Sequence, residues 1–263
     1  MTDDLSGVYA HGVDAIAQDM RQEVIDESRE LVTALDLLLD AVRHERSEPE
    51  ELTAAVSKTA LKLRVQAGNV GLRLIGTIAR RLEDYMANIT ELPPRAFDDL
   101  QIFIDRLEDV LEGRLENDSD AAVVVRALPA NIGFAQADIE VRNIEVMLVM
   151  LHGAANHYVQ RELQQCGYRV TTVSTVFEAF SQIVQTKPDF VIISAIMPEL
   201  DGVDLAIGLS SMPSTRNIPL ALITSLDPGD EHLSLVPKNI PTIHKGPSFG
   251  DDLYAALDNL FLI

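Results

Sequence analysis

The feature that most constrains the fold is a change in hydrophobic periodicity near residue 144. Up to about residue 116 the chain follows a helical period throughout. Beyond residue 144, short continuous apolar runs alternate with helical segments. A continuous apolar run bounded by turns is typical of a strand that is buried on both faces of a sheet. The change therefore predicts two domains of different fold class within the 263 residues.

The C-terminal part predicts a five-stranded parallel sheet with helices on both faces. A helical segment follows each of its five predicted strands, which cover residues 146–150, 169–173, 190–193, 220–223 and 242–243. Strands that alternate with helices in this way pair in parallel, since each crossover returns the chain to the same end of the sheet. We expect a doubly wound, flavodoxin-like sheet over residues 144–263.

The N-terminal part predicts a four-helix bundle over residues 1–116. Its apolar residues recur at three- and four-residue steps in four segments with short connections, which makes neighbouring helices antiparallel. The four predicted helices cover residues 24–42, 52–67, 72–87 and 96–115. In the second helix, the residues predicted to face the core are Leu52, Val56, Ala60, Leu63 and Ala67.

Two further segments flank the predicted bundle. The segment before Met20 is expected either to add a helix that packs on the bundle or to form a homodimer interface. Residues 117–143 begin with a polar run and contain Pro129 and Gly133, which predicts a linker between the domains with a short helix at 121–128. The domain prediction is therefore 1–116, 117–143 and 144–263.

Charge and composition restrict the partners. With 21 Lys and Arg against 41 Asp and Glu, the net charge of −20 disfavours nucleic acid and anionic membranes. Residues 52–82 contain no acid, so this region either faces an acidic protein or is an ordinary solvated surface. Its basic residues are Lys58, Lys62, Arg64, Arg73, Arg80 and Arg81. A single cysteine, Cys166, excludes an internal disulfide and a cysteine metal cluster, and we expect it to be buried.

Neither a membrane span nor a secretory signal is visible in the sequence. These observations predict a cytoplasmic protein that has neither a bound metal nor a cofactor.

Residues 188–202 carry a resemblance to a known family. An apolar strand is followed there by Met197-Pro198 and then by Asp201-Gly202, at the spacing found in response-regulator receiver domains. The C-terminal 120 residues resemble a receiver over its whole length. Thr224 and Lys245 stand where that family has its switch threonine and its characteristic lysine.

The acids that a receiver needs are nevertheless missing. Phosphorylation requires a carboxylate nucleophile and two further acids that hold Mg²⁺. Ser194 stands at the nucleophile position. The acidic pair aligns with Met150 and Leu151 or, one residue later, with Leu151 and His152, and neither alignment supplies a carboxylate. We therefore predict a degenerate, unphosphorylated site. A metal or nucleophile–base site that uses His152, Ser194 and His244 is the less favoured alternative, because no acidic group is visible to orient a histidine.

The second predicted helix resembles a histidine phosphotransfer (HPt) domain of the chemotaxis-kinase type. The resemblance covers about residues 25–113 and rests on Ala67-Gly68 and Gly71-Leu72. Leu61 stands where the family has its phosphoaccepting histidine, and an aliphatic side chain cannot accept a phosphoryl group. The resemblance implies a face on which a receiver docks. The residues expected to form it are Lys58, Leu61, Lys62, Arg64 and Val65.

Both halves thus predict phosphorelay modules without reactive groups. The leading hypothesis is a non-catalytic signalling adaptor, with no catalytic residue, that binds a receiver domain or a histidine kinase. The alternatives are an active phosphotransfer protein with an unrecognised acceptor residue, and an oligomerisation scaffold.

Overall fold

A computed structural model describes residues 3–87, 89, 92–130 and 143–259, with side chains from Asp14 onward. The chain divides into two compact units, Met1–Pro129 and Ala130–Ile263. The first unit is helical, and the second is built on a parallel sheet, as the change in periodicity predicts.

The helical unit contains four long helices and one short one. They are α1 (Asp3–Arg43), α2 (Pro49–Asn69), α3 (Arg73–Met86), α4 (Pro94–Leu111) and α5 (Ala121–Ala127). Helix α1 packs against α2 and α4, and α3 packs against the same two helices, so the four long helices enclose one core. The predicted bundle is confirmed.

Local sequence explains where α2 begins and ends. Pro49 occupies the first turn, where a missing backbone N–H costs nothing, and Glu50 and Glu51 complement the positive end of the helix dipole. After Asn69 the chain turns at Gly71, whose φ of +70° favours glycine. The residues predicted to face the core of α2 are all buried, and Thr59 is buried with them.

Helix α1 is longer than the sequence predicted. It begins at Asp3 rather than near residue 24 and continues unbroken to Arg43. Its packed part begins near Arg21, whose Nη1 donates a hydrogen bond to the Val70 carbonyl at 3.3 Å. Residues 14–20 are all exposed. The segment before Met20 is therefore a continuation of the first bundle helix and not a separate packing helix.

The bundle unit also extends beyond residue 116. Helix α5 packs on α3, and Ala122, Val125 and Leu128 are buried. The Asp120 side chain caps α5 by accepting from the Ala122 N–H. The short helix predicted at 121–128 thus belongs to the bundle and not to a linker, because its apolar face needs a partner to be buried. Residues 131–142 of the predicted linker lie outside the described residues.

The second unit has five parallel strands in the order β2-β1-β3-β4-β5, the flavodoxin-like order. The strands are β1 (Glu145–Val149), β2 (Arg169–Val173), β3 (Phe190–Ser194), β4 (Leu220–Thr224) and β5 (Thr242–His244). The connecting helices are α6 (Ala154–Gln165), α7 (Val176–Thr186), α8 (Gly202–Ser211) and α9 (Glu231–Ser234), and α10 (Phe249–Asn259) follows the last strand. The predicted doubly wound sheet is confirmed.

The side chains of the strands alternate between two apolar layers. Met147, Val149 and Ile193 pack with α7 and α8 on one face. Leu148 and Ile192 pack with α6 and α10 on the other face. Every residue of β1 to β4 is buried, which explains the apolar runs of β1, β3 and β4. Strand β2 is buried as well, although it contains Arg169, Thr171 and Thr172.

Cys166 follows α6 and is exposed, so the prediction that it is buried is wrong. It lines a surface groove of about 570 Å³ between α6 and α10, together with Tyr168 and Tyr254. Among the helices that the structure describes, none combines the length and the apolarity of a membrane span.

Candidate functional site

The sheet brings the predicted receiver residues to one edge. Ser194 is the last residue of β3, Thr224 is the last residue of β4, and Lys245 directly follows β5. Ser194 lies beside Ile223 in the register, and the Lys245 N–H donates to the Thr224 carbonyl at 2.7 Å. Met150 directly follows β1. Parallel strands place their carboxyl ends together, so this is the edge at which such sheets bind ligands.

The residues that the sequence analysis placed at the nucleophile and metal positions, Ser194, Met150 and Leu151, do not form an open polar site. Ser194 is 6% exposed, and its hydroxyl donates to the Ile196 carbonyl at 3.1 Å. Met150 is 4% exposed and belongs to the apolar layer under α6. Leu151 is exposed and carries no ligand atom. In the part of the chain that the structure describes, no group of three or more His, Cys, Asp or Glu residues could hold a metal ion.

The backbone at Met150 is held by a residue that the sequence analysis missed. Its N–H donates to the Val173 carbonyl at 2.9 Å, and its carbonyl accepts from the buried Asn156 amide at 3.3 Å. No spacing rule singles out Asn156, because its partner is a main-chain atom. Asn156 stabilises the loop after β1 without offering a group to a substrate.

Thr224 and Lys245 lack a catalytic partner. The Thr224 hydroxyl oxygen accepts the Leu226 N–H at 3.0 Å, which closes a local turn. The Lys245 side chain is half-buried, and this desolvation lowers the pKa of its ammonium group. Among the residues that the structure describes, no carboxylate lies within ion-pair distance of Lys245.

The glycine of the Asp201-Gly202 pair is required by close packing. A Cβ at Gly202 would lie 1.9 Å from the Ser194 carbonyl oxygen, well inside any real contact. The Gly202 N–H donates to the Ala195 carbonyl at 3.0 Å, which fixes the start of α8 against the end of β3. The receiver-like motif therefore preserves the shape of this edge although the acids are absent.

His244 has an acidic partner that the sequence analysis did not find. Its backbone N–H and its ring Nδ1 lie 2.9 and 3.2 Å from Asp252 Oδ2, eight residues later on α10. The ring Nε2 is buried and has no hydrogen-bond partner among the residues that the structure describes. Ser194 is on β3, which β4 separates from β5, so the alternative nucleophile–base pair between Ser194 and His244 is not formed. His152 is exposed.

The second predicted site lies on the exposed side of α2. Leu61 is 50% exposed and Val65 is 52% exposed, as predicted from the helical period. They belong to a row at four- and three-residue steps that contains no acid, here called the α2 stripe. The α2 stripe consists of Ala54, Lys58, Leu61, Val65 and Gly68, all of them exposed.

Two of the three basic residues predicted on this face, Lys62 and Arg64, form ion pairs with acids from other helices. Lys62 Nζ lies 2.5 Å from Glu27 on α1, and its hydrogen bond lowers the pKa of that carboxyl. Arg64 Nε donates to Glu83 on α3 at 2.8 Å. Arg80 and Arg81 are buried in α3.

Within the described residues, Lys58 is the cation of the α2 stripe and has no carboxylate within ion-pair distance. The acid-free segment of the sequence is therefore not one basic surface.

Comparison with known proteins finds partial likeness. No model of a known protein family matches the chain. Two proteins from Arabidopsis thaliana, named two-component response regulator-like APRR3 and APRR7, are 32% and 31% identical to it over 91 residues. The matched segments cover 34% of this chain and only 18% and 12% of those proteins. The chain thus spans less than a fifth of the length of these relatives.

Solved structures align with part of the chain. The receiver domain of the sensor histidine kinase PA1611 from Pseudomonas aeruginosa PAO1 is 19% identical, with a TM-score of 0.41 over 45% of this chain and 98% of that one. The response regulator PhyR from Brucella abortus is 18% identical, with a TM-score of 0.36 over 79% and 82%. The fold assignment of the C-terminal unit rests on its own strand order.

Proposed function

We propose that this protein is a non-catalytic regulator of two-component signalling that binds an acidic partner protein, a receiver domain or a histidine kinase, through the α2 stripe. The observation that carries the proposal is the half-exposure of Leu61 and Val65 on a helix face without acids. The response regulator-like names of the two Arabidopsis relatives support a role of this kind.

The C-terminal sheet edge supports the non-catalytic part of the proposal. Its nucleophile position holds a buried serine, and its metal positions hold Met150 and Leu151, whose side chains contain no oxygen. A serine hydroxyl is a weak phosphoryl acceptor without a base or a metal ion. We therefore assign the C-terminal unit a structural or binding role in the complex.

The α2 stripe has the composition of a small interface. Two aliphatic side chains form its centre, and Ala54 and Gly68 leave its ends flat, so a partner can approach closely. A single cation, Lys58, supplies orientation toward an acidic partner. Apolar centres with a polar rim are typical of protein interfaces, and the charged rim mainly affects the association rate.

Binding of purified receiver domains and histidine kinases from the same genome to the full chain tests the proposal. Leu61→Asp is expected to weaken the complex by about 1–3 kcal/mol if Leu61 is an anchor residue. Its melting temperature should change little, because an exposed substitution costs less than about 0.5 kcal/mol.

Leu37→Asp is the matched control, since Leu37 is an exposed leucine on α1 of the same unit. Equal loss of binding in both variants, or unfolding of the Leu61→Asp chain, would reject the α2 stripe. Stable transfer of radiolabelled phosphate from a phosphorylated partner to this chain would instead support the alternative of active phosphotransfer.

A further inference from the structure

Helix α1 carries a surface that its own unit does not cover. The helix has 41 residues, and its packed part begins near Arg21. Residues 3–20, here called the α1 extension, continue for about 27 Å beyond that point at 1.5 Å per residue. Tertiary packing gives helices in proteins most of their stability, so a partner that covers the extension would stabilise it.

The described part of the α1 extension has an apolar row. Ile16 is 62% exposed and Met20 is 55% exposed, and they lie one turn apart on one face of the helix. Asp19 and Glu23 lie beside this row. The sequence contains no lysine or arginine before Arg21. The described part of the α1 extension is therefore an apolar row with an acidic border.

The α2 stripe has the complementary composition. It presents Leu61 and Val65 one turn apart, with Lys58 as its border charge and no acid. In an ordinary helix–helix contact, side chains one turn apart on one helix insert between those of the other. Ile16 and Met20 match Leu61 and Val65 in spacing, and Asp19 matches Lys58 in charge.

The two surfaces cannot meet within one chain. Glu27 on α1 pairs with Lys62, next to Leu61 on α2. Ile16 lies about 16 Å further along α1 from Glu27, at 1.5 Å per residue. Contact between the α1 extension and the α2 stripe therefore requires two chains.

We infer that two copies of this chain form a dimer in which the α1 extension of each copy covers the α2 stripe of the other. The contact is reciprocal, as in two-fold symmetric dimers. A parallel pairing of two α1 extensions is disfavoured, because it would bring acids of the same helix face together. The inference rests on the proposed function in one respect, since the dimer would cover the face assigned to the partner and so regulate its access.

Disulfide trapping tests the arrangement directly. The chain has one cysteine, Cys166, and Cys166→Ser provides the background. Two single-cysteine variants, Ile16→Cys and Leu61→Cys, are mixed as full chains and oxidised. We expect the 16–61 cross-link between chains, identified by mass spectrometry. Cross-links only between two copies of residue 16, or a cross-linked yield no higher than that of a Leu37→Cys control, would overturn the arrangement.

Charge exchange tests the same contact in solution. Sedimentation equilibrium of Asp19→Lys and of Lys58→Glu is expected to show dimer dissociation constants about tenfold weaker than that of the wild type. The two substitutions combined in one chain should restore the wild-type value to within about threefold, since each copy then carries the reversed pair. Asp14→Lys, elsewhere on the helix circumference, serves as the control. A wild-type chain that stays monomeric at every concentration would overturn the inference.

Partner binding separates this inference from the proposed function. Ile16→Asp should dissociate the dimer and raise the affinity for the partner about tenfold, because the α2 stripe becomes free. If the partner binds with unchanged affinity while the dimer is lost, the regulatory inference fails but the docking proposal stands. If Leu61→Asp dissolves the dimer without weakening partner binding, the docking proposal fails and the dimer stands.

Discussion

The sequence resemblances align Leu61 of α2 and Ser194 of β3 with the reactive groups of phosphorelay modules, but the two residues lie in different surroundings. Leu61 on α2 is half-exposed, whereas Ser194 on β3 is buried and hydrogen-bonded to its own loop. The same contrast holds for Val65 and Met150. Neither pair contains a histidine or a carboxylate, but one pair lies on a surface and the other is buried.

The contrast indicates which of the two positions can still have a function. A buried position without polar ligands contributes packing, and its neighbours adapt to it. An exposed apolar pair costs free energy in water unless a partner covers it. The α2 stripe is therefore the better candidate for retained binding, and the sheet edge is the better candidate for retained structure.

The largest effect is expected where the sheet edge is packed most closely. Gly202→Ala places a Cβ against the Ser194 carbonyl, so it should destabilise the chain by about 3 kcal/mol or more. Urea denaturation measures this. Gly68→Ala on the α2 stripe is the matched control, since its Cβ meets no atom within 4 Å. It should be neutral or stabilise α2 by up to about 1 kcal/mol. Equal effects at both glycines would remove the contrast between the two regions.

A smaller effect is expected when the missing carboxylate is restored. Ser194→Asp buries a charge in a closed site and should cost about 2 kcal/mol in unfolding free energy. Ser194→Asn, of similar size but uncharged, should cost less. Added Mg²⁺ should recover none of the loss, because Met150 and Leu151 supply no ligand. Stabilisation of the aspartate variant by millimolar Mg²⁺ would show that the edge still holds a cation.

Substitution of Lys245, unlike the two preceding substitutions at the sheet edge, is not expected to destabilise the chain. Its pKa is lowered by burial, so the folded chain binds this proton less tightly than the unfolded chain. Lys245→Met should therefore leave stability unchanged or raise it by less than about 1 kcal/mol at pH 7. The gain should shrink as the pH rises toward the ordinary lysine value near 10.5, where the wild-type ammonium discharges in the folded state first. A clear loss of stability would reveal a partner for the ammonium group.

No change is expected when beryllofluoride and Mg²⁺ are added to the chain. Beryllofluoride with Mg²⁺ mimics a phosphorylated aspartate, and this chain has no aspartate at the end of β3. The amide NMR spectrum of the full chain should therefore stay unchanged on addition of both. Saturable shifts at Ser194 and Thr224 would contradict the assignment of a closed edge.

Much of the fold could be read from the sequence because burial imposes a period on it. Strands β1, β3 and β4 are buried on both faces, so they appear largely as apolar runs. The faces of α2 followed from the spacing of Leu52, Val56 and Leu63. Less could be read where a helix has no neighbour, as in the α1 extension, or where a short helix such as α5 is buried by a distant partner.

The sequence by itself determined which chemistry is absent. Leu61, Met150 and Ser194 cannot supply a phosphoacceptor histidine, a metal-binding acid or a carboxylate nucleophile, whatever the fold around them. The sequence shows a glycine at both position 202 and position 68, but it does not show that close packing requires only Gly202.

Only the tertiary structure decided the charge of the candidate binding face. The acid-free run from residue 52 to 82 left open whether this region faces an acidic protein or is an ordinary solvated surface. In the fold, Glu27 and Glu83 reach Lys62 and Arg64 from other helices. Arg80 and Arg81 are buried, so they do not contribute to that face either. The physical reason is that charges interact through space, and helices far apart in sequence supply the compensating carboxylates. The spacing of residues along one helix determines which side chains share a face. The charged residues of the neighbouring helices determine the net charge of that face.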